Sequence, residues 1–147
     1  MNITNLQEAI AGWVHGQPMA SANSTIENLR YNTVPLVDKI FTYVLGNSPV
    51  LLFIDSAERC WFFTDELAIG ARIMNNGEPL AATCYRPARD FELVSVDAPN
   101  DYGNQVTVTL LHGSEQIKME GLGNNGEVLK SVLPLLLGRK PAVRETK

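Results

Sequence analysis

Apolar and polar positions alternate with strand-like spacing through most of the chain from Val50 to residue 120, and turn-forming residues stand at nearly every junction. Alternation over four to eight residues predicts β-strands, and short links between successive strands predict antiparallel hairpins. The pattern predicts seven strands. They comprise residues 50–54, 60–64, 67–73, 80–85, 91–96, 106–110 and 117–119.

The first two of these segments are unusually apolar. Residues 50–54 form a continuous aliphatic and aromatic run, which predicts a strand buried on both faces. In the next segment Trp61 stands before two phenylalanines, so aromatic rings alternate between the two faces of that strand. Core packing accounts for one face, and we expect the N-terminal helices or a partner protein to cover the other.

A helical pattern follows the strands. Pro134 lacks an amide hydrogen, so it should kink this helix or divide it into two pieces. Asn124 or Asn125 is predicted to cap the first turn, and Gly138 is predicted to end the last one. The apolar content predicts that residues 125–137 lie across one end of the strands. The positions at helical spacing are Val128, Leu129, Val132, Leu133, Leu136 and Leu137.

Two or three helices are predicted before the strands. Their predicted boundaries are the capping boxes Thr4–Gln7 and Ser24–Glu27, a break at residues 16–22, Pro35 in the first turn of a third helix and Gly46 at its end. These helices carry more apolar side chains than one short helical layer usually hides. Two alternatives stay open, because the surplus can pack on the outer face of the sheet or form an interface with a second copy or a partner.

Length and cysteine content indicate one compact domain in a reducing environment. It divides into a helical region at residues 1–48, a β region with its helix at 49–138, and a basic tail at 139–147 that is predicted to be disordered. Cys60 and Cys84 both fall inside apolar strand patterns, so we expect core side chains and no disulfide or nucleophile. Two cysteines and no signal peptide favour the cytoplasm. The longest apolar run is shorter than the ~20 residues of a membrane span.

Charge is distributed unevenly along the chain. Four of the 12 basic residues and one of the 16 acidic residues lie in the tail, which leaves 8 basic and 15 acidic residues, a net charge of −7, on residues 1–138. Binding to nucleic acid depends on neutralising phosphates with Lys and Arg. We therefore expect neither nucleic acid nor an anionic membrane as a partner.

The motifs that suggest cofactor or metal chemistry have simpler explanations. Gly121-x-Gly123-x-x-Gly126, with Glu145 beyond it, matches a dinucleotide fingerprint in spacing. The fingerprint needs a βαβ unit, and the nine residues after Gly138 include Pro141, so no second parallel strand is expected. A flexible connection into the last helix accounts for the glycines. His15 and His112 have no Glu or Cys at the spacing of metal ligands. We predict no cofactor and no metal.

The candidate nucleophiles and acids are equally ordinary. Ser48 lacks the second glycine of a nucleophile elbow, and Ser114 lies in a predicted hairpin turn. Asp65 and Glu66 are adjacent, so a strand would point them to opposite faces, and a charged turn accounts for both. We predict no catalytic residues.

The order of elements resembles a known plan. Seven strands followed by one helix is the plan of the pleckstrin-homology (PH) superfold, and residues 50–138 resemble bacterial PH-like domains. The shared features are an aliphatic strand ending at Asp55, an aromatic strand ending in Thr-Asp before Glu66, and the strand at residues 67–73. The resemblance implies an α+β fold with a seven-stranded antiparallel half-open barrel capped by the C-terminal helix, and it implies binding or scaffolding without chemistry. Lipid-binding members carry a basic cluster on the first hairpin, whereas here the turn carries Asp55 and Glu58 and is followed by the single Arg59, so we expect no phosphoinositide binding.

Three classes of function follow. The leading one is a non-enzymatic protein-binding or scaffolding module, a bacterial or phage accessory protein that works as a homodimer or a partner-bound subunit. The second is a small enzyme or ligand-binding protein with a pocket between the N-terminal helices and the sheet. The third is an acidic cytoplasmic chaperone or immunity-type partner. A pocket lined by His112 or Asp55 would favour the second class, and a flat apolar patch would favour the others.

Overall fold

The computed structural model describes residues 1–14, 17–55, 59–98 and 104–138, and it has an α+β fold with two β-sheets. The α+β class is confirmed, and the seven predicted strands are β2 to β8. The strands are β1 Asn2–Ile3, β2 Pro49–Ile54, β3 Arg59–Phe63, β4 Ala68–Arg72, β5 Ala82–Tyr85, β6 Glu92–Asp97, β7 Val106–His112 and β8 Glu115–Gly121. The helices are α1 Leu6–Val14, α2 Met19–Glu27, α3 Val34–Ile40, α4 Thr42–Leu45, α5 Pro87–Asp90, α6 Asn124–Ser131 and α7 Leu133–Leu136, with a π-helical segment at Asn28–Thr33.

The strands form two separate sheets. The five-stranded sheet has the order β1-β2-β3-β4-β5, in which β2 to β5 form an antiparallel meander and the short β1 runs parallel to β2. The three-stranded sheet has the order β6-β7-β8 and is antiparallel. No pairing joins β5 to β6 among the described residues, so these strands do not close into a barrel. The break falls at Pro87, which lacks an amide hydrogen for strand pairing and begins α5.

Three layers enclose two apolar cores. In the first core the N-terminal helices cover one face of the five-stranded sheet, where Leu52 and Phe62 are buried. In the second, the opposite face packs through Trp61 and Phe63 against the three-stranded sheet and the C-terminal helices. The aromatic strand β3 is therefore buried on both faces, and the N-terminal helices provide the expected second cover. Each fully buried side chain of this size stabilises the fold by roughly 1.5–3 kcal/mol.

The N-terminal helices divide their apolar side chains between core and surface. Packing on the outer sheet face is observed for part of the set, namely Ala9, Ile10, Trp13, Leu29, Val37 and Leu45, all of which are buried. Ile40, Tyr43 and Val44 remain exposed. Pro35 lies in the first turn of α3 as predicted, but the predicted third helix is divided at Phe41, so Gly46, with a positive φ of 57°, ends the separate α4.

Two N-terminal helix boundaries differ from the prediction. The second helix begins at Met19, directly after Pro18, so residues 19–22 are helical and Ser24 lies inside the helix instead of capping it. The Thr4 hydroxyl donates a hydrogen bond to the Val50 carbonyl, because β1 leads the chain along β2 before α1 begins. Strand pairing therefore replaces the predicted capping box at this position.

The C-terminal helix is divided at Pro134 as predicted. α6 ends at Ser131, α7 spans Leu133–Leu136, and Gly138 ends it with a φ of 77°. Leu129 and Leu136 are fully buried in the second core. The predicted asparagine cap is wrong. Gly123 occupies the N-cap. Asn125 is instead buried and forms hydrogen bonds with the backbone of Ile54 in β2 and of Ala9 in α1.

Candidate functional site

β6 is an edge strand that is exposed on both faces. Among the described strands it pairs only with β7, and five of its six residues are exposed. The exposed fractions are 46 % for Val94 and 44 % for Val96. An edge strand presents unpaired N–H and C=O groups along its free side, which makes it a template for pairing with another chain.

The register of β6 explains why its apolar side chains are open. Val96 lies opposite Val108 on β7, so the two side chains share the face that points into the second core. Val108 is fully buried while Val96 is not. The cover over this face therefore stops short of β6. A register shift between Leu93 and Ser95 makes Val94 the extra residue of a β-bulge, which the ladder with β7 leaves unpaired.

Acidic residues stand at both ends of this strand. Glu92 and Asp97 are exposed, and neither forms an ion pair with another described residue. Just before the strand, the Arg89 side chain and the Arg86 amide donate hydrogen bonds to the Asp90 carboxylate, and these bonds lower the pKa of Asp90 to about 2. Glu92 and Asp97 therefore place an unpaired negative charge at each end of β6 among the described residues.

A second feature is a cleft between the two sheets. It has a volume of about 180 Å³. Its walls come from β3, β4 and β5 on one side and from β8 on the other. The residues that line it are Arg59, Trp61, Gly70, Ala71, Arg72, Ala81, Tyr85, Glu115 and Ile117.

Two arginines lie side by side on one wall of the cleft. Arg59 on β3 lies directly opposite Arg72 on β4 in the strand register. Nη2 of Arg59 donates to the buried Asp55 carboxylate at 2.8 Å and also donates to the Lys118 carbonyl. Arg72 is exposed and has no ion pair with any described residue. The wall therefore carries one compensated and one uncompensated guanidinium.

The third feature is an apolar surface on α3 and α4. Ile40 ends α3, Tyr43 and Val44 lie in α4, and all three are exposed. Tyr43 is fully exposed. We call these three residues the α3–α4 patch.

Of the reactive side chains singled out from the sequence, His112 and Asp55 lie near the cleft. His112 packs edge-on against the Tyr85 ring at 5.1 Å and lies 3.6 Å from the Glu115 carboxylate, at the rim of the cleft and outside its lining. Asp55 is paired with Arg59 beside the cleft and does not line it. His15 lies outside the described residues. The sequence did not reveal the cleft, because its walls come from strands that are distant in the sequence and meet only in the folded protein.

The two cysteines differ in environment. Cys60 is buried as predicted, and burial raises the pKa of its thiol far above the usual range. The prediction for Cys84 is wrong, because this side chain is exposed on β5, an edge strand of the five-stranded sheet. Partial desolvation also raises the pKa of the Cys84 thiol. A raised pKa lowers the fraction of reactive thiolate at neutral pH.

Packing accounts for the glycine motif. A Cβ atom at Gly126 would lie 1.9 Å from the Asn104 carbonyl oxygen, and one at Gly121 would meet the Phe53 ring at 2.7 Å. These glycines permit close packing between β8, α6 and their neighbours, and β8 is an antiparallel edge strand rather than the first strand of a βαβ unit. Glu145 lies outside the described residues.

The remaining candidates lie on turns. Ser48 and Ser114 are exposed in turns, and Asp65 and Glu66 lie in the link between β3 and β4, where the Thr64 hydroxyl accepts the Glu66 amide hydrogen. Among the described residues no group of His, Cys, Asp or Glu is arranged to hold a metal ion. Within the same part of the chain no helix is long and apolar enough to cross a membrane.

The comparisons with known proteins give no relative. No protein-family model matches the chain, and neither the curated proteins nor the solved structures contain a significant match.

Proposed function

We propose that this protein is a non-enzymatic protein-binding module that captures an extended segment of its partner along the free edge of β6. The observation that carries the proposal is that β6 is an edge strand with both faces exposed and with two half-exposed valines. In strand addition, main-chain hydrogen bonds give affinity, and alternate side chains give specificity.

The chemistry of β6 defines the kind of segment it fits. Val96 lies on the core-facing side beyond the buried Val108, so an apolar partner side chain placed beside it would extend the second core. Glu92 and Asp97 frame the edge with negative charge. A segment with alternating apolar residues and flanking Lys or Arg complements both features. A second copy of β6 in antiparallel pairing would instead bring Glu92 towards the partner's Asp97, and like charges disfavour that pairing.

The dimensions of the cleft support a binding role over a small-enzyme role. Pockets for cofactors and drug-sized ligands typically occupy about 300–1,000 Å³, whereas the cleft of about 180 Å³ has room only for a smaller molecule. Among the described residues no Ser, Thr or Cys lines the cleft as a nucleophile for the His112–Glu115 pair at its rim. A chaperone or immunity-type partner remains compatible with the same edge, because such proteins also act by holding another chain.

The proposal includes the PH-like plan. Its support is the antiparallel meander β2 to β5, the three antiparallel strands that follow it, and the helices after the last strand. In that plan β6 is the free edge of the second sheet. Gly138, the last residue that the structure describes, packs against Ala88 in α5, the helix just before β6.

A homodimer is a further part of the proposal. The α3–α4 patch carries Ile40, Tyr43 and Val44 in the open, and contiguous exposed apolar side chains mark interaction surfaces. A two-fold contact between two such patches is the commonest arrangement for identical chains. It would leave β6 free for the partner segment.

Selection from a random peptide library tests strand addition. Peptides of about 12 residues are selected on the wild-type protein, and labelled copies are titrated by fluorescence anisotropy. We expect enriched sequences in which apolar residues alternate between flanking Lys or Arg. Val94→Pro should weaken their binding at least tenfold, because it removes the amide hydrogen of an exposed β6 residue that has no partner residue on β7.

Two controls locate the site. Tyr43→Ser changes a fully exposed side chain on the α3–α4 patch and should leave the affinity unchanged. The pair Glu92→Gln and Asp97→Asn should weaken binding and reduce its dependence on salt. Selected peptides that bind Val94→Pro as tightly as the wild type would contradict the proposal.

A further inference from the structure

The cleft between the sheets has the features of a small-ligand site that is independent of strand addition at β6. It is open to solvent, holds about 180 Å³ and combines charged with aromatic walls. A cavity of roughly 150 Å³ lined by apolar side chains can hold one benzene molecule. The cleft therefore has room for one ring with a short substituent.

The charged wall favours an anion. Arg59 and Arg72 lie directly opposite each other in an antiparallel strand pair, an arrangement that disfavours folding for like charges. Asp55 compensates Arg59, and Arg72 has no ion pair within the described residues. In addition, the buried Nε of Arg59 has no hydrogen-bond acceptor among those residues, which adds an uncompensated donor to the same wall. A carboxylate beside Arg72 would offset this excess positive charge, since arginine pairs with carboxylates through two parallel hydrogen bonds.

The remaining walls favour an apolar ring. Trp61, Tyr85 and Ile117 line the cleft, and the two aromatic rings lie 6.1 Å apart between centroids. Gly70 leaves space for the Trp61 ring to lie against the β4 backbone, because a Cβ atom at this position would come within 2.6 Å of that ring. Trp61 is 1 % exposed and the Arg59 guanidinium lies over its ring at 5.7 Å, so the indole forms the floor of the site beside Arg59.

Glu115 limits the charge that the cleft accepts. Its carboxylate lines the side formed by β8, and His112 lies 3.6 Å from it. A ligand with two or more negative charges would be repelled by this carboxylate, whereas a single carboxylate can lie near Arg72. The wall therefore discriminates against phosphates and dicarboxylates.

We propose that the cleft between the two sheets binds a small aromatic monocarboxylate, with its carboxylate at Arg72 and its ring against Trp61 and Tyr85. The probe for this proposal is benzoate. A ligand of nine heavy atoms at an ordinary efficiency should bind with a Kd on the order of 1 mM.

The indole resonances of the two tryptophans provide the measurement. Trp61 lies in the cleft wall, and Trp13 lies in the other core on α1, so each indole N–H gives a separate signal in a ¹H–¹⁵N spectrum of the full chain. We expect benzoate to shift the Trp61 indole signal saturably and to leave the Trp13 signal in place. Equal movement of both signals, or no saturable shift up to about 50 mM, a concentration well above the Kd expected, would overturn the proposal.

Matched variants and ligands test the charge. Arg72→Gln changes an exposed side chain and should weaken benzoate about tenfold or more, because it removes a charge-assisted hydrogen bond. Arg86→Gln, at an exposed position outside the cleft, should have no effect. Benzyl alcohol keeps the ring without the charge and should not saturate the shift. Inorganic phosphate that binds more tightly than benzoate, or an unchanged benzoate Kd in Arg72→Gln, would contradict the assignment.

Discussion

Asn125 joins elements that lie far apart in the sequence. Its Oδ1 accepts the Ile54 amide hydrogen at 2.8 Å, and its Nδ2 donates to the Ala9 carbonyl at 2.9 Å. It thereby links α6 to β2 and to α1 inside the protein. Asn5 makes a similar pair of bonds to the backbone of Leu52, where its side chain stands in for a neighbouring strand.

Replacing Asn125 by alanine should destabilise the protein. Each buried backbone group left without its partner costs about 1–3 kcal/mol, which is a large share of the ~5–15 kcal/mol that holds a typical domain together. Urea unfolding followed by circular dichroism measures the change. The adjacent Asn124 is exposed, so Asn124→Ala is the control and should change the free energy of unfolding by less than about 0.5 kcal/mol. Equal effects of the two variants would show that the buried bonds do not stabilise the fold.

The sequence could not assign these roles to the asparagines. A residue at a helix start favours an N-cap because capping is the local use of a short polar side chain. The bonds of Asn125 instead reach partners 71 and 116 residues away. The same limit applies to Cys84, whose strand pattern indicates burial only if a neighbouring element covers that face.

Thiol titration should distinguish the two cysteines. One thiol per chain, that of Cys84, should react with a disulfide reagent in the native protein, and both should react in denaturant. Because desolvation raises the Cys84 pKa, its reaction should be slower at pH 7 than that of a free cysteine and should accelerate as the pH rises. Cys84→Ser should abolish the native reaction. Two reactive thiols in the native protein would contradict the burial of Cys60.

At the scale of elements, the strands were the most predictable part of the fold. Alternation reports directly which face of a strand is buried, and each turn marks an end, so β2 to β8 are present close to their predicted positions. The divided C-terminal helix followed from the missing amide hydrogen of Pro134. The two-residue β1 is too short to show a period. The start of α2 at Met19 was missed because residues 16–22 contain turn-forming types, and tertiary context overrides such local preferences.

Leu136 in α7 and the adjacent Leu137 allow a test of whether α7 packs into the second core. Leu136 is fully buried, and Leu137 is 41 % exposed. Leu136→Asp should cost about 3 kcal/mol or more, because it removes a buried side chain and places a charge in the second core. Leu137→Asp should change the melting temperature little. Similar melting temperatures for Leu136→Asp and the wild type would contradict the docking of α7.

At the scale of the whole molecule, the seven strands did not determine how the sheets divide. The sequence predicted one half-open barrel, whereas the described strands form sheets of five and three with a helix at Pro87 between them. Sheet pairing depends on contacts between segments that are distant in the sequence. Pro87 was the only local feature that indicated the break. The free edge of β6 is a consequence of this division, so the candidate site could not be read from the sequence.

Light scattering at micromolar concentration tests self-association. If the α3–α4 patch joins two copies, the full chain should scatter as a dimer of twice 16.2 kDa. The double variant Tyr43→Ser and Val44→Ser should then scatter as a monomer with unchanged circular dichroism, because both side chains are exposed in the single chain. Wild-type protein that scatters as a monomer would rule out the dimer without affecting strand addition at β6.

Hydrogen exchange of the β6 amides tests the central claim most directly. An edge strand leaves alternate amides unpaired, so part of residues 92–97 should exchange rapidly in the free protein, while the central β7 is protected on both sides. Adding a peptide selected as described above should slow the rapid β6 amides at least tenfold and leave β7 unchanged. Full protection of β6 in the free protein, or protection by the peptide only at other elements, would contradict strand addition at β6.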